Sequence, residues 1–557
     1  MTRRPIIAAL IAVFLAAVLT GCAGLPTAGP VHVGRAIGEE EGLPDFAFVP
    51  DGPTRDATPE QIVEGFIAAG SGPRGNWQTA QEFLTDGFRS EWAPQAGVTI
   101  YEPGDRTFSV VAEDEIVVNV RPAATVDATG AYRAGGDGDI ALRYRLAQED
   151  GQWRIAEAPD GVVLDTTRFG TVFRSYALHY FDPTWTYLVP DTRWFPVTNS
   201  ATRIAEALVS GSPSAWLADS VVSAFPEGIS LSPQSVPVRS GVAGVSLDAA
   251  ARDLETQTIA RMRAQLEQSL ATAGILDVQL TAGGQTVETP AAGVQDTRVD
   301  ARALVQFEDT FGFLSGSEVE PIPGLTDVLE GFDLGTVEVD AAQTTAAVRT
   351  GQGTVLRVSA DGSSVELDSR AGLTAPSIDP YGHIWTVQAA TPSAVVAYGP
   401  DGTARTLAGA WPGATAVSAM RVSRDGTRVA ALVRDGGRPA VWAAGIVRDD
   451  DGVPTSLSEV RVISSLAGDG IALAWLDSAT LALIWTDGEQ RYMREQPLGG
   501  LGTDVRAPDE VVAVAGGNQS GSVRLRTADG ALFVQRGSWQ FVASGVEVLA
   551  VQQGAPD

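Results

Sequence analysis

Apolar residues run without a break from Ile6 to Leu19, directly behind Arg3 and Arg4, and no stretch of that length recurs. A membrane-crossing helix needs about 20 such residues, so the run has the length of a secretory h-region behind a positive n-region. It ends at Thr20-Gly21-Cys22, and Cys22 is the only cysteine of the chain. Leu19-Thr20-Gly21-Cys22 has the form of a bacterial lipobox: an apolar residue, two small ones, then the thiol that is acylated as the bond before it is cut. Gly24, Pro26, Gly29 and Pro30 follow at once, against a signal-anchor helix with an incidental thiol. Thr2-Arg3-Arg4 lacks the rest of a twin-arginine motif, so ordinary Sec export is expected. Residues 1–21 are therefore read as a leader. Two or three acyl chains on Cys22 would anchor the mature chain stably at the outer face of the membrane.

Residues 22–55 show no sustained periodicity, are rich in Gly and Pro, and read as a tether. Thr58-Pro59-Glu60-Gln61 then combines a capping box with proline at the first helical position, and Ile62, Val63, Phe66 and Ile67 fall on one helical face. A second short helix carries Ala80, Phe83 and Leu84. Alternating segments follow at Thr107–Val111, Ile116–Val120, Ala141–Leu146 and Trp153–Ile155, the last two joined across Asp150-Gly151, a strong hairpin signal. Helices followed by a curved antiparallel sheet predict an α+β domain over residues 56–185, cone-shaped like the NTF2-like group.

Leu188-Val189-Pro190-Asp191-Thr192-Arg193-Trp194-Phe195-Pro196 opens a second α+β unit, expected over residues 186–325. A helix from Ala201 to Ser210 presents Ile204 and Leu208. A strand near Gly244–Leu247 leads to the clearest amphipathic helix, with Leu254, Ile259, Met262, Leu266 and Leu270 on one face and Arg261, Arg263, Gln265 and Glu267 on the other. From about residue 326 to 557 the pattern becomes all-β, and Asp-Gly turns recur between apolar runs. The phrases Ser377-Ile378-Asp379-Pro380-Tyr381-Gly382, Ser423-Arg424-Asp425-Gly426 and Trp475-Leu476-Asp477-Ser478 return about every 45–50 residues, the period of propeller blades. A propeller of about five blades is expected, with a pair of β-sandwiches as the competing architecture.

Composition narrows the chemistry. The net charge of −29 repels phosphate backbones, so nucleic acid is excluded as an expected partner. All 39 basic residues are arginine, which removes Walker A, Ser-x-x-Lys and Schiff-base chemistry. His32, His179 and His383 lie far apart in sequence and read as surface or packing residues. Asp449-Asp450-Asp451-Gly452 lacks the later ligands of a calcium loop and reads as a solvated turn. No catalytic residues, metal ligands or cofactors are expected. Trp385, Trp442 and Trp485 suit either blade cores or sugar stacking.

The ordered set of lipobox Cys22, the Gly24–Val31 segment, the Leu188–Pro196 phrase, the amphipathic helix leading to Gly284-Gln285 and the terminal repeats resembles the LpqB family of actinobacterial lipoproteins. Within it, Val245-Ser246-Leu247-Asp248 and Gln265–Val287 are similar to a GerMN domain. The resemblance implies a non-catalytic accessory of a two-component system whose kinase is MtrB and whose regulator is MtrA. Its implied partner is the extracytoplasmic part of that sensor histidine kinase, with effects on envelope homeostasis and division. The alternative is an envelope protein that binds or hydrolyses cell-wall glycan. Only Cys22 carries over from the family as a functional position.

Overall fold

The computed structural model describes residues 50–555 except Asp137 and Ser520; Leu19, Thr20, Gly21, Cys22 and His32 lie outside the described residues. Thr58 caps helix α1 (Pro59–Ala69) through a complete capping box with Gln61, as its sequence predicts. Ile62, Val63, Phe66 and Ile67 are buried on its inner face, and Trp77 and Ala80 of α2 (Arg74–Gln81) join them. These helices pack on strands β1 (Gly97–Ala112), β2 (Glu115–Asp127), β3 (Tyr132–Ala134), β4 (Ile140–Glu149), β5 (Gln152–Glu157) and β6 (Val162–Asp165). The sheet order is β5-β4-β2-β1-β6, with β3 added to β2 and β6 parallel to β1. The β4–β5 hairpin turns at Asp150-Gly151, where alternation placed it.

After α3 (Thr166–Val172), strands β7 (Phe173–Phe181) and β8 (Leu188–Pro196) pair antiparallel over their whole length. Leu178, Tyr180 and Phe181 of β7 enter the core of the middle region rather than that of the first sheet, although the sequence pattern ends the first domain at residue 185. The shift arises because β7 has no partner in the first sheet: it pairs with β8 and, through Phe181, with Val222 of the middle region. Helix α4 (Ser200–Val209) buries Ile204 and Leu208. Strands β9 (Val238–Arg239), β10 (Val242–Leu247), β11 (Asp277–Ala282) and β12 (Gln285–Thr286) form a sheet in the order β12-β11-β10-β9. Parallel β10 and β11 are connected through α5 (Thr256–Ala271), as a crossover requires.

Ile259, Met262, Leu266 and Leu270 of α5 are buried as their spacing predicts, but so is Gln265, which periodicity had placed on the polar face. Its Oε1 accepts from the Ala224 amide at 2.8 Å, closing off a loop amide that would otherwise be buried without a partner.

The C-terminal region is propeller-like. Six sheets of four or five strands follow one another, where the repeat spacing predicts about five. The first spans 303–321 and is completed by Val546–Leu549 from the chain's far end. Pairing between the two ends is invisible to a repeat search, which is why the sequence boundary fell at 326 rather than near 303. The other sheets occupy 334–368, 377–406, 414–465, 470–506 and 511–543. Val551–Gln552 then runs parallel to Leu334–Val339, and Gln553 donates to buried Glu338.

The recurrent aspartates cap the turns between the first two strands of three sheets. Asp379 accepts from the amides of Tyr381 and His383 at 3.0 and 2.9 Å, and Asp477 from those of Ala479 and Thr480 at 2.8 Å. Asp425 accepts from Ser423 Oγ at 2.7 Å and from the Thr427 amide at 3.0 Å.

Trp385, Trp442 and Trp485 are all at least nine-tenths buried and give no ring face to a sugar. Asp449 folds as the solvated turn expected, accepting from the amides of Asp451 and Val453. His179 and His383 are packing residues.

Candidate functional site at the junction of three domains

The Leu188–Pro196 phrase, singled out in the sequence without a role, folds as β8 and touches all three parts of the described chain. Asp191 and Arg193 lie on the same strand face as the core residues Val189 and Phe195, so they point inward; both charged side chains are buried, at 1% and 3% exposure. The Asp191 carboxylate accepts from Arg193 Nε and Nη2 at 3.1 and 2.8 Å, from the Ser214 amide at 2.8 Å and from Ser214 Oγ at 2.7 Å. Arg193 also donates to the Thr129 carbonyl at 2.9 Å and the Ser212 carbonyl at 3.2 Å. Burial alone would lower the Arg193 pKa, but the charge and hydrogen bonds of Asp191 raise it above its ordinary value.

The first domain meets this strand at its β2–β3 turn. The Trp194 amide donates to the Gly130 carbonyl at 2.8 Å. Gly130 has φ of +82°, and a Cβ there would lie 2.8 Å from the Trp194 carbonyl oxygen, so both conformation and space demand glycine. On the other side, Trp194 Nε1 donates to the Gly499 carbonyl at 2.6 Å, and the absent Gly499 side chain lets Thr192 approach. The guanidinium of Arg428, wholly buried and paired with Asp425, reaches the Pro190 carbonyl at 3.4 Å. One strand thus carries bonds to the first sheet, to the middle region and to the propeller-like region.

Two further seams fix the middle region. Ser458 Oγ donates to the Trp216 carbonyl at 2.6 Å, and the hydroxyl of Tyr381 donates to Asp182 at 3.1 Å. The connection between the middle and last regions, residues 288–302, is pinned along its length. Val299 exchanges two hydrogen bonds of 2.8 Å with the Asn518 side chain, Asp300 donates from its amide to Gln552 at 3.0 Å, and Arg424 reaches the Thr297 carbonyl at 3.4 Å.

Beside β8 lies a cleft of about 650 Å³ lined by residues of all three regions, among them Tyr132, Arg133, Arg193, Trp216, Glu459 and Arg461. Arg461 donates to the Tyr132 carbonyl and lies 5.8 Å from the centroid of the Trp216 ring. Burial lowers its pKa; Asp191 opposes this, while the charges of Arg133 and Arg193 push further down. A second cleft of about 670 Å³ runs between α5 and the 288–302 connection, lined by His179, Arg263, Glu267 and Arg298. Arg263 there is already paired with Glu267 at 2.6 Å. Burial takes the His179 pKa down to about 4, against a hydrogen bond to Ala177, with Arg428 adding to the fall.

The arrangement suits recognition. Among the described residues no group of three or more His, Cys, Asp or Glu side chains is placed to hold a metal ion, and no helix is long and apolar enough to cross a membrane. The predicted site residue Cys22 and the lipobox Leu19, Thr20 and Gly21 lie outside the described residues. Sequence reasoning marked β8 as a distinctive phrase but missed Trp216 and Arg461, which lie in unremarkable segments and meet only through tertiary contact. Arg263 and Glu267 of the polar α5 face do line the second cleft, though sequence reasoning assigned them no role.

Three family models match consecutive parts of the chain. "Lipoprotein LpqB, N-terminal domain" matches residues 52–170, "Sporulation and spore germination" residues 177–288, and "Lipoprotein LpqB beta-propeller domain" residues 303–549. Curated relatives carry the same family name. "Lipoprotein LpqB" of Nocardia farcinica (strain IFM 10152) is 27% identical over 86% of this chain and 84% of its own. That of Bifidobacterium longum (strain NCC 2705) is 26% identical over 99% of both chains. That of Thermobifida fusca (strain YX) is 32% identical over 52% of this chain and 48% of its own.

Proposed function

The chain belongs to the LpqB family of lipoproteins, and on that premise we propose that it is a non-catalytic accessory of a sensor histidine kinase of the MtrA–MtrB type. In this reading a lipid on Cys22 holds it at the outer face of the membrane, where it docks on the kinase's extracytoplasmic part and influences envelope homeostasis and division. The first sheet is read as an NTF2-like cone and the six terminal sheets as six blades, the first closed by the C-terminal strand.

The observation that carries the reading is β8. A strand bonded to three domains at once makes them move as one body, so a contact made on any one of them is felt by the others. A regulator that must relay the state of the envelope to a kinase needs such mechanical unity, whereas a hydrolase needs a catalytic pair at its centre. The burial of Trp385, Trp442 and Trp485 removes the feature that favoured glycan stacking.

The test is in-cell crosslinking of C-terminally tagged protein, followed by detergent extraction and mass spectrometry, with Cys22→Ala as control. Enrichment of a sensor kinase that weakens in the Cys22→Ala strain is the expected result. Enrichment of wall enzymes or glycan without any kinase would overturn the reading in favour of the envelope-glycan alternative.

A further inference from the structure

Several arginines of the propeller-like region are held by a carboxylate or by several carbonyls. Arg448 pairs with Asp379 at 2.7 Å, Arg370 with Asp368 at 2.7 Å, and Arg357 donates to four carbonyls. Arg461 is held by less. Its guanidinium has five N–H donors, yet it is half-buried with one carbonyl acceptor, that of Tyr132, and no described carboxylate pairs with it. Its ring neighbour Trp216 is 6% exposed, and the indole N–H is buried with no acceptor. Both line the same 650 Å³ cleft, within the range of small-ligand sites.

Arg133, exposed on the lining and without a described ion pair, adds a second cation. Of the lining carboxylates, Asp127 is engaged by the Thr129 side chain and by the Thr129 and Ala131 amides; Asp191, which does not line the cleft, is turned to Arg193 and Ser214. Glu459 is exposed at the rim and makes no ion pair with Arg461. The result is a pair of guanidinium groups with unspent donors in a chain whose net charge is −29.

We propose that this junction cleft binds a small ligand carrying an oxyanion, a carboxylate or a phosphate, held by Arg461 and Arg133. A guanidinium fork grips either oxyanion in the same bidentate manner. The chain's overall charge gives no long-range steering toward an anion, so recognition rests on the cleft itself. The inference goes beyond the accessory reading: Tyr132 and Arg133 belong to the first domain, Trp216 to the middle one and Arg461 to the last, so an occupied cleft would fasten all three. It stands or falls independently of any kinase contact.

Calorimetric titration of detergent-purified full-length protein with benzoate and with phenyl phosphate tests it, with methyl benzoate as the uncharged comparison. Saturable binding of at least one anion is expected, weakened at least about tenfold by Arg461→Gln and about threefold by Arg133→Gln, the size of one lost charged hydrogen bond. Arg143→Gln, an exposed arginine of β4 outside the cleft, should bind as the parent does. Tighter binding of one probe identifies its oxyanion as the natural one, and equal binding makes the shared charge the determinant. Arg133 is exposed, so its variant keeps the test intact if Arg461→Gln fails to fold. Absence of binding by both anions, equal binding of methyl benzoate, or unchanged binding in both folded variants would overturn the proposal.

Discussion

The first domain and the middle domain sit against the same strand yet are built on opposite plans. The first keeps a core of its own, from Ala57 to Phe173, in which Phe66 contacts Trp92 at 5.0 Å and Tyr144 at 6.1 Å between ring centroids. The middle domain has no such privacy. Its Leu217, Val245, Leu266 and Leu280 belong to one cluster with Leu432, Val441, Trp475 and Leu483 of the fourth and fifth terminal sheets. Apolar burial stabilises at about 25 cal/mol per Å² whichever domain contributes it. A core divided between two domains therefore makes each depend on the other, whereas a private core joined by hydrogen bonds leaves its domain thermodynamically separable.

That contrast can be broken most sharply at Trp475, which is 4% exposed and whose indole donates to the Arg421 carbonyl at 3.1 Å. Trp475→Ala is expected to cost about 3–5 kcal/mol and to lower the unfolding of the middle and terminal regions together. Phe66→Ala, of similar cost, should lower only the first domain. Differential scanning calorimetry with domain-specific hydrogen exchange separates the two patterns.

Next in size is Asp191→Ala, which strands the buried Arg193 guanidinium and is expected to cost about 3 kcal/mol. Because Arg193 also bonds to Thr129, this change should loosen the first domain's seat as well; limited proteolysis near residues 127–131 reads that loosening.

A smaller effect comes from pH. His179 is neutral in the folded chain down to about 4, while its unfolded value is 6.5. Between those values the unfolded state binds the extra proton, so stability falls as pH drops from 6.5 toward 4 and levels off below, by on the order of 2–3 kcal/mol. Denaturant titrations across this window on His179→Gln should lose that slope. The smallest expected change is Trp194→Phe, which removes the bond to Gly499 and keeps the ring packing against Phe169, at about 1 kcal/mol. It should loosen the seat of β8 on the propeller-like region while the Trp194 amide still holds the first domain at Gly130.

What the sequence made legible follows from the range of the forces involved. The capping box at Thr58, the Asp150-Gly151 hairpin and the apolar stripe of α5 are local, and each appears where its pattern placed it. Gln265 misled because its polarity serves a distant amide, that of Ala224, rather than solvent. The additional first sheet and the early start near Ala303 depend on pairing with Val546–Leu549 from the other end of the chain, which no local period reports. Arg461 and Trp216 look ordinary in sequence, and only their meeting across two domains makes a cleft.

The central claim is that the middle domain and the propeller-like region are one cooperative unit while the first domain is attached to it. Calorimetry of the full-length protein, with native-state hydrogen exchange assigning each transition, tests this directly. The account predicts two transitions, with β10, β11 and α5 losing protection together with the strands 414–506, and the first sheet losing it separately. Independent melting of the middle domain, ahead of those strands, would contradict it.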